Sequence, residues 1–342
     1  MPEKHCREGR LCGPRKIAVS VAVMKKWSDR LPAFIIRILS LISVIAILFI
    51  FYFVFSKAMP VIAENGVGLF TKTGFDSQIR TAFSSYDEPK LEFGLRGLIM
   101  GTLFSTVIAL VVASVLAIGA AVAIAELAPK PVAVIFTAIV RLLASIPSVI
   151  FGLVGILTVV PYIERRFVTV DLQIEFLDYF QMSGRNLLST IIVLSFMIVP
   201  TIISLCINAI NTVSNDQKEA GYAFGMSHFR VIWKIILPSA RSGIIAGVIL
   251  GAGRGIGEAI AVSMVCGGVG TIPAFSHGFA AILTPVLPLS AAIINKSEAM
   301  GVASVESALF ACGAILLLFG ALLSVGANLV ERGFRRAAGY DD

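Results

Sequence analysis

Charge is what this sequence has least of. Only 14% of its 342 residues are Asp, Glu, Lys or Arg, against about 25% in an ordinary soluble domain. With 57% hydrophobic residues and a mean hydropathy of +0.91, the apolar surface cannot hide inside one soluble core. The solvent for most of the chain is therefore lipid. Histidine and cysteine are also scarce, at 3 and 5 residues. Cys206, Cys266 and Cys312 lie in apolar runs, where cysteine acts as a small hydrophobe. Cys6 and Cys12, near His5, fit no zinc spacing, and no disulfide framework is implied. No metal or cofactor is expected. A G-x-x-x-x-G-K-[ST] phosphate loop is missing too, and no lysine follows a glycine anywhere. ATP hydrolysis by this chain is thereby excluded, and no covalent chemistry, hence no enzyme activity, is expected. The net charge of +7 comes without basic runs interleaved with aromatics, which argues against nucleic acid.

Long apolar runs are what the sequence has instead. Ile38–Ser56, Gly97–Ala125, Pro131–Ile163, Asn186–Asn215, Ser242–Cys266 and Ala308–Val330 each approach or exceed the ~20 residues a helix needs to cross the hydrocarbon core. Only Arg141, Arg254 and Glu258 interrupt them with charge. Alternating barrel patterning is absent. The fold expected is all-α and polytopic, with six transmembrane helices. If the N-terminus is inside, cytoplasmic segments hold 17 Lys and Arg against 9 on the opposite side, which favours both termini in the cytoplasm. Residues 1–31 read as a cytoplasmic tail, in which Met24-Lys25-Lys26 resembles a start site. Residues 32–336 read as the transmembrane domain, and 337–342 as a C-terminal tail. Between Ala259 and Asn295 there is no charge, but Gly267, Gly268, Pro273, Pro285 and Pro288 break the run. The expectation is a fifth helix ending near Cys266, then an outer loop that dips back into protein. Pro147 and Pro200 are expected to kink or break their helices.

The loop between the fourth and fifth spans, within 213–241, is the most informative segment. It reads Glu219-Ala220-Gly221, then Gly225, then Ile235, Leu237 and Pro238. A short helix over about 216–224 would end at Gly225, which tolerates φ > 0. A second short helix with Phe229, Ile232, Trp233 and Ile236 would be closed by Pro238. Such a knob could seat in a cleft on a cytoplasmic partner; the plainer alternative is an amphipathic linker on the headgroups. The spacing resembles the EAA loop of ABC importer permeases, E-A-A-x3-G-x9-I-x-L-P, with Gly221 in place of the second Ala.

In the fifth span, Gly243, Gly247, Gly251 and Gly255 recur every fourth residue and predict close approach of another helix. Arg254 and Glu258 lie four apart and could pair on one helical face. Arginine at a helix centre costs ~2.5–3.5 kcal/mol on insertion scales, which suggests function. One reading has Arg254 offering forked donors to an oxyanion, with Glu258 orienting it. The other is a self-neutralising pair that holds helices together.

Beyond the loop, residues 32–336 resemble the PstC-type phosphate-uptake permeases of the ABC class. The resemblance rests on Gly101-Thr102-Leu103, on Leu143-Ala144-Ser145-Ile146-Pro147-Ser148-Val149 with Gly152-Leu153, and on Gly253-Arg254-Gly255-Ile256-Gly257-Glu258 followed by Ala261-Val262. Arg141 departs where an acidic residue is expected, and Ala259 where a threonine is. The resemblance implies a type I permease fold in the cytoplasmic (inner) membrane. It further implies a homologous second permease subunit, two cytoplasmic ATP-hydrolysing subunits, an extracytoplasmic phosphate-binding protein, and phosphate as substrate. A permease for molybdate or sulfate is the alternative within the class, and an ATP-independent secondary transporter or channel the alternative outside it.

Overall fold

The computed structural model describes residues 15–84, 92–176, 180–273 and 275–337. It divides into two units, Met1–Phe53 and Val54–Asp342. The described part of the first unit is one continuous helical run, the leading part of helix α1 (Arg15–Asn65), charged at its start and apolar from about Phe34. Of the tail expected over 1–31, residues 15–31 are thus helical. Residues 1–14, with Cys6, Cys12 and His5, and 338–342 at the other terminus, lie outside the described residues.

Among its described residues the regular structure of the second unit is helical, joined by turns and extended links, with one isolated β-bridge between Gly267 and Val286. Besides the short helices Gly68–Thr71 and Val170–Glu175, its α-helices are α2 (Phe75–Ser84), α3 (Arg96–Val122), α4 (Lys130–Ser145), α5 (Ser148–Val154), α6 (Val160–Phe167), α7 (Leu187–Asn211), α8 (Asn215–Ala223), α9 (His228–Val231), α10 (Leu237–Gly257), α11 (Ile260–Val265), α12 (Leu289–Asn295) and α13 (Ala303–Ala337). Among the described residues six helices are long and apolar enough to cross a membrane: Phe34–Asn65, Arg96–Leu127, Ser148–Phe167, Leu187–Asn211, His228–Gly257 and Ala303–Val330. The number matches the sequence reading, but two boundaries move.

The third crossing is not 131–163. Pro147 has no N–H to continue a helix, and its ring disfavours helical geometry at Ile146, which is extended (φ −65°, ψ 130°). The chain therefore breaks there, leaving α4 as a separate helix. The fifth crossing starts earlier than expected, because Pro238 does not close a helix. A π-helical turn at Ile232–Ile236 lets the Leu237 N–H reach the Ile232 carbonyl, and Pro238 then occupies a first-turn position. The wide turn carries the helix past the missing N–H, so the run continues through the proline. Pro200, by contrast, sits inside α7 without ending it.

At the centre runs α7, whose buried residues occupy every face, as expected for a helix surrounded by others. Its N-terminus is capped by buried Asn186, whose Oδ1 accepts from the Ser189 N–H at 3.0 Å. Two ladders of small residues meet it. On α3, Ala109, Ala113, Ala117 and Ala121 are fully buried, and the Ser195 hydroxyl donates across to the Ala109 carbonyl at 3.2 Å. On α10, a Cβ at Gly243 would stand 2.5 Å from that of Ala209, at Gly247 3.1 Å from that of Leu205, and at Gly251 2.8 Å from Ile202 Cγ1. The predicted glycine ladder is thus the seam that draws α10 against α7 by dispersion.

Beyond Cys266 the chain does turn back into protein. Gly267 (φ 91°) and Gly268 (φ 75°) make the reversal, and Val286 N–H donates to the Cys266 carbonyl at 2.8 Å. Leu287, Leu289, Ala291 and Ala292 are fully buried. The Leu289 N–H donates to the buried Thr102 hydroxyl at 2.8 Å, which ties α12 to α3. Past α12, Lys296 pairs with Asp76 of α2 at 2.7 Å.

Candidate functional site

Two groups of residues matter, one at the loop 213–241 and one at the end of α10. In the loop, α8 ends in a Schellman motif. The Met226 N–H reaches the Gly221 carbonyl at 3.2 Å and the Gly225 N–H reaches the Tyr222 carbonyl at 2.9 Å. Gly225, at φ 71°, takes the left-handed position this motif requires. Gly221 is buried, and a Cβ there would come 2.5 Å from Ile235 Cδ1 and 3.1 Å from Val231 Cγ2. Gly221 and Ile235, fourteen positions apart, therefore form one contact, and the glycine at that position lets them close. Glu219, Ala220 and Pro238 are exposed, Ile235 and Leu237 half-buried. The loop also presents Phe224, Phe229 and Trp233 at 83%, 66% and 60% exposure.

The loop is braced by a residue the sequence reading did not select. Glu126 closes the second crossing in a π-helical turn, Ala123–Leu127. Its carboxylate pairs with Lys218 of α8 at 2.7 Å, the two side chains being 8% and 18% exposed respectively. Its backbone carbonyl lies 3.1 Å from His228 Nε2. A carbonyl can only accept, so Nε2 carries the proton, and the Tyr222 hydroxyl at 2.7 Å then donates to Nδ1. A signal was available: Glu126 is the one charged residue from Gly97 to Pro129.

At the other group, Arg254 and Glu258 do not form the expected pair among the described residues. The helix stops at Gly257, and Glu258 is extended (φ −73°, ψ 116°), so the i, i+4 face on which they would meet is broken. Arg254, half-buried, donates from Nη1 to the Thr201 hydroxyl of α7 at 2.6 Å. Glu258 turns the other way. Its Oε1 accepts from the Ala261 N–H at 3.0 Å, capping α11, and its carbonyl accepts from the Ser290 hydroxyl at 2.7 Å. Glu258 thus holds the junction of α10, α11 and the re-entrant segment, while Arg254 keeps its other guanidinium donors. Arg141 lines a cavity of about 370 Å³ with Thr137 and Asn211.

Six apolar crossings, a capped two-helix loop and a helix broken beside a half-buried arginine define a polytopic transport component. Residues 117–336 match the family described as binding-protein-dependent transport system inner membrane component. That match covers more than half of the chain, which belongs to this family. The phosphate transport system permease protein PstC 2 of Mycobacterium tuberculosis is 35% identical over 228 residues, covering 65% of this chain and 68% of that protein. PstC 1 of the same organism is 30% identical over 303 residues, covering 82% and 86%. PstC of Mesorhizobium japonicum is 31% identical over 244 residues, covering 68% and 71%. A solved structure of the MetNI methionine ABC transporter aligns with a TM-score of 0.48 at 16% identity, covering 68% of this chain and 92% of that one.

Proposed function

We propose that this chain is a membrane-spanning subunit of an ATP-driven importer of inorganic phosphate. The observation that carries the reading is the capped knob at 215–236, exposed in its aromatics and continuous with a crossing helix. A secondary transporter has no use for such an element. The substrate follows from the relatives named as phosphate permeases, which favour phosphate over molybdate or sulfate. The chain carries no nucleotide site, so it works with two cytoplasmic ATPase subunits seated on the loop, a second homologous permease, and an extracytoplasmic phosphate-binding protein. Both termini lie in the cytoplasm. Glu126 and the knob occupy the same end of the second unit, and the inside-positive count assigns that end to the cytoplasm.

In transport, closure of the ATPase pair would displace the knob and reorient α10. Arg254 would meet the anion through the donors that Thr201 leaves free, stabilising charge that has left water. Glu258 would keep the α10–α11 junction open beside it by capping α11.

Uptake of labelled phosphate by cells carrying the full set of subunits tests this. It should require ATP and the external binding protein, and yield little to excess molybdate or sulfate. Uptake that survives ATP depletion, or that molybdate or sulfate suppresses better than phosphate does, refutes the reading.

A further inference from the structure

We infer that Glu126 is a positioning residue that locks the knob to the loop-side end of the second crossing, so that one displacement moves α3 and α10 together. This rests on the reading of the loop as the coupling element and adds where its motion goes.

The second crossing ends with carbonyls that its own helix does not satisfy, because the last carbonyls of a helix lack intrahelical partners. At the close of the second crossing the Ala128 N–H is taken by the Ala123 carbonyl, and Pro129 has no N–H to offer. The Glu126 carbonyl is instead met by His228, and the carboxylate of the same residue by Lys218. A cation at this end of a helix is also favoured by the helix dipole. The two contacts come from the two halves of the knob: Lys218 lies on α8, and His228 opens α9. Tyr222 of α8 joins them through His228. Both halves are thus tied to one residue, and the knob cannot tilt without pulling on the end of α3.

What α3 does with that pull is set by its other end. It lies along α7 through its alanine ladder, and its Thr102 hydroxyl holds the N–H of Leu289 at the start of α12. Ser290, the next residue, holds the carbonyl of Glu258. A displacement entering at Glu126 therefore reaches the α10–α11 junction by a second route, separate from α10 itself. Lys218–Glu126 is the linkage that opens this route, at 2.7 Å and with little exposure.

The test uses the assembled complex in liposomes, with inorganic phosphate and phosphate-loaded binding protein. Compared are wild type, Glu126→Gln, Lys218→Met, and the exchange Glu126→Lys with Lys218→Glu. Complex yield, ATP hydrolysed, and phosphate moved per ATP are measured. In Glu126→Gln complexes ATP hydrolysis should persist while phosphate per ATP falls about tenfold, within the range of coupling between distant sites. The exchange should restore most of the ratio, because it restores the ion pair and leaves the backbone contact to His228 in place. An unchanged ratio in Glu126→Gln overturns the proposal. So does a loss confined to complex yield, or an exchange no better than either single variant. Failure of the underlying reading shows differently: wild-type complexes would then form without an ATPase subunit or move no phosphate at all.

Discussion

Replacing Gly225 separates backbone strain from docking. The residue sits at φ 71° with nothing within 4 Å of where a Cβ would stand. A side chain there meets no clash within the chain, and strain alone sets the internal cost. Left-handed geometry costs an L-residue roughly 1–2 kcal/mol, with Asn and Asp the most tolerant. One to two kcal/mol is a factor of about 5–30 in the fraction of knobs correctly formed. Uptake at equal membrane abundance should therefore fall in the order Gly, Gly225→Asn, Gly225→Ala, Gly225→Val. Asn and Asp share shape and tolerance and differ in charge, so Gly225→Asp tests the partner surface. It should abolish uptake while insertion is intact, well below Gly225→Asn. The assay is labelled-phosphate uptake alongside recovery of the ATPase subunit with the purified chain. Wild-type uptake in Gly225→Val would refute the strain argument. Equal uptake in the Asp and Asn variants would refute docking at this face.

Arg254→Gln should remove phosphate uptake with the complex still assembled, and Arg254→Lys should recover little, since a point charge lacks the forked donors; uptake and complex yield report both. Glu258→Gln should impair transport by taking the charge from the oxygen that caps the Ala261 N–H, since a bond to a carboxylate is roughly twice as strong as a neutral one. Because the two side chains have different partners, the double Gln variant should not restore uptake, and an active double variant would end the role of Arg254 as an anion contact. Gly251→Val should lower the melting temperature of the detergent-solubilised complex through ~1–3 kcal/mol of overpacking against Ile202 and Ile198. Adding Ile202→Ala should recover part of that loss, and a wild-type melt in the single variant would remove the seam from the account.

The number and character of the crossings were legible because hydropathy and length are summed properties that no single contact overrides. The glycine ladder was legible for a related reason: a fourfold spacing fixes a face whatever the partner, and the partner proved to be α7. The Arg254–Glu258 pair was misread because spacing implies a shared face only while the helix lasts, and here it stops at Gly257. Thr201, which takes the place of Glu258 beside Arg254, lies 53 residues away in sequence. Glu126 and Lys218 are separated by 92. Contacts of that kind carry no periodicity, so the brace under the knob could not be read from either segment alone.

Prolines decide how far the knob reaches. The three π-helical turns among the described residues, Ala123–Leu127, Gly155–Val159 and Ile232–Ile236, are each followed two residues later by a proline, at 129, 161 and 238. In a regular α-helix each proline would strand the carbonyl four residues back and collide with it. The extra residue of the wide turn moves that carbonyl aside, and the N–H just before the proline spans the gap. At 161 and 238 the helix goes on; at 129 it ends and leaves Glu126 free for the loop. Read as a stop, Pro238 would have made the second half of the knob a separate piece joined by a hinge. Read through its π turn, it makes His228–Gly257 one continuous run of 30 residues. At 1.5 Å per residue, Arg254 then stands on the order of 40 Å from His228 along one rod. A few degrees of tilt, if a partner imposed it at Phe229 and Trp233 as proposed, would become a displacement of ångströms at Arg254. That amplitude is enough to make or break a guanidinium contact, whose useful range spans only tenths of an ångström.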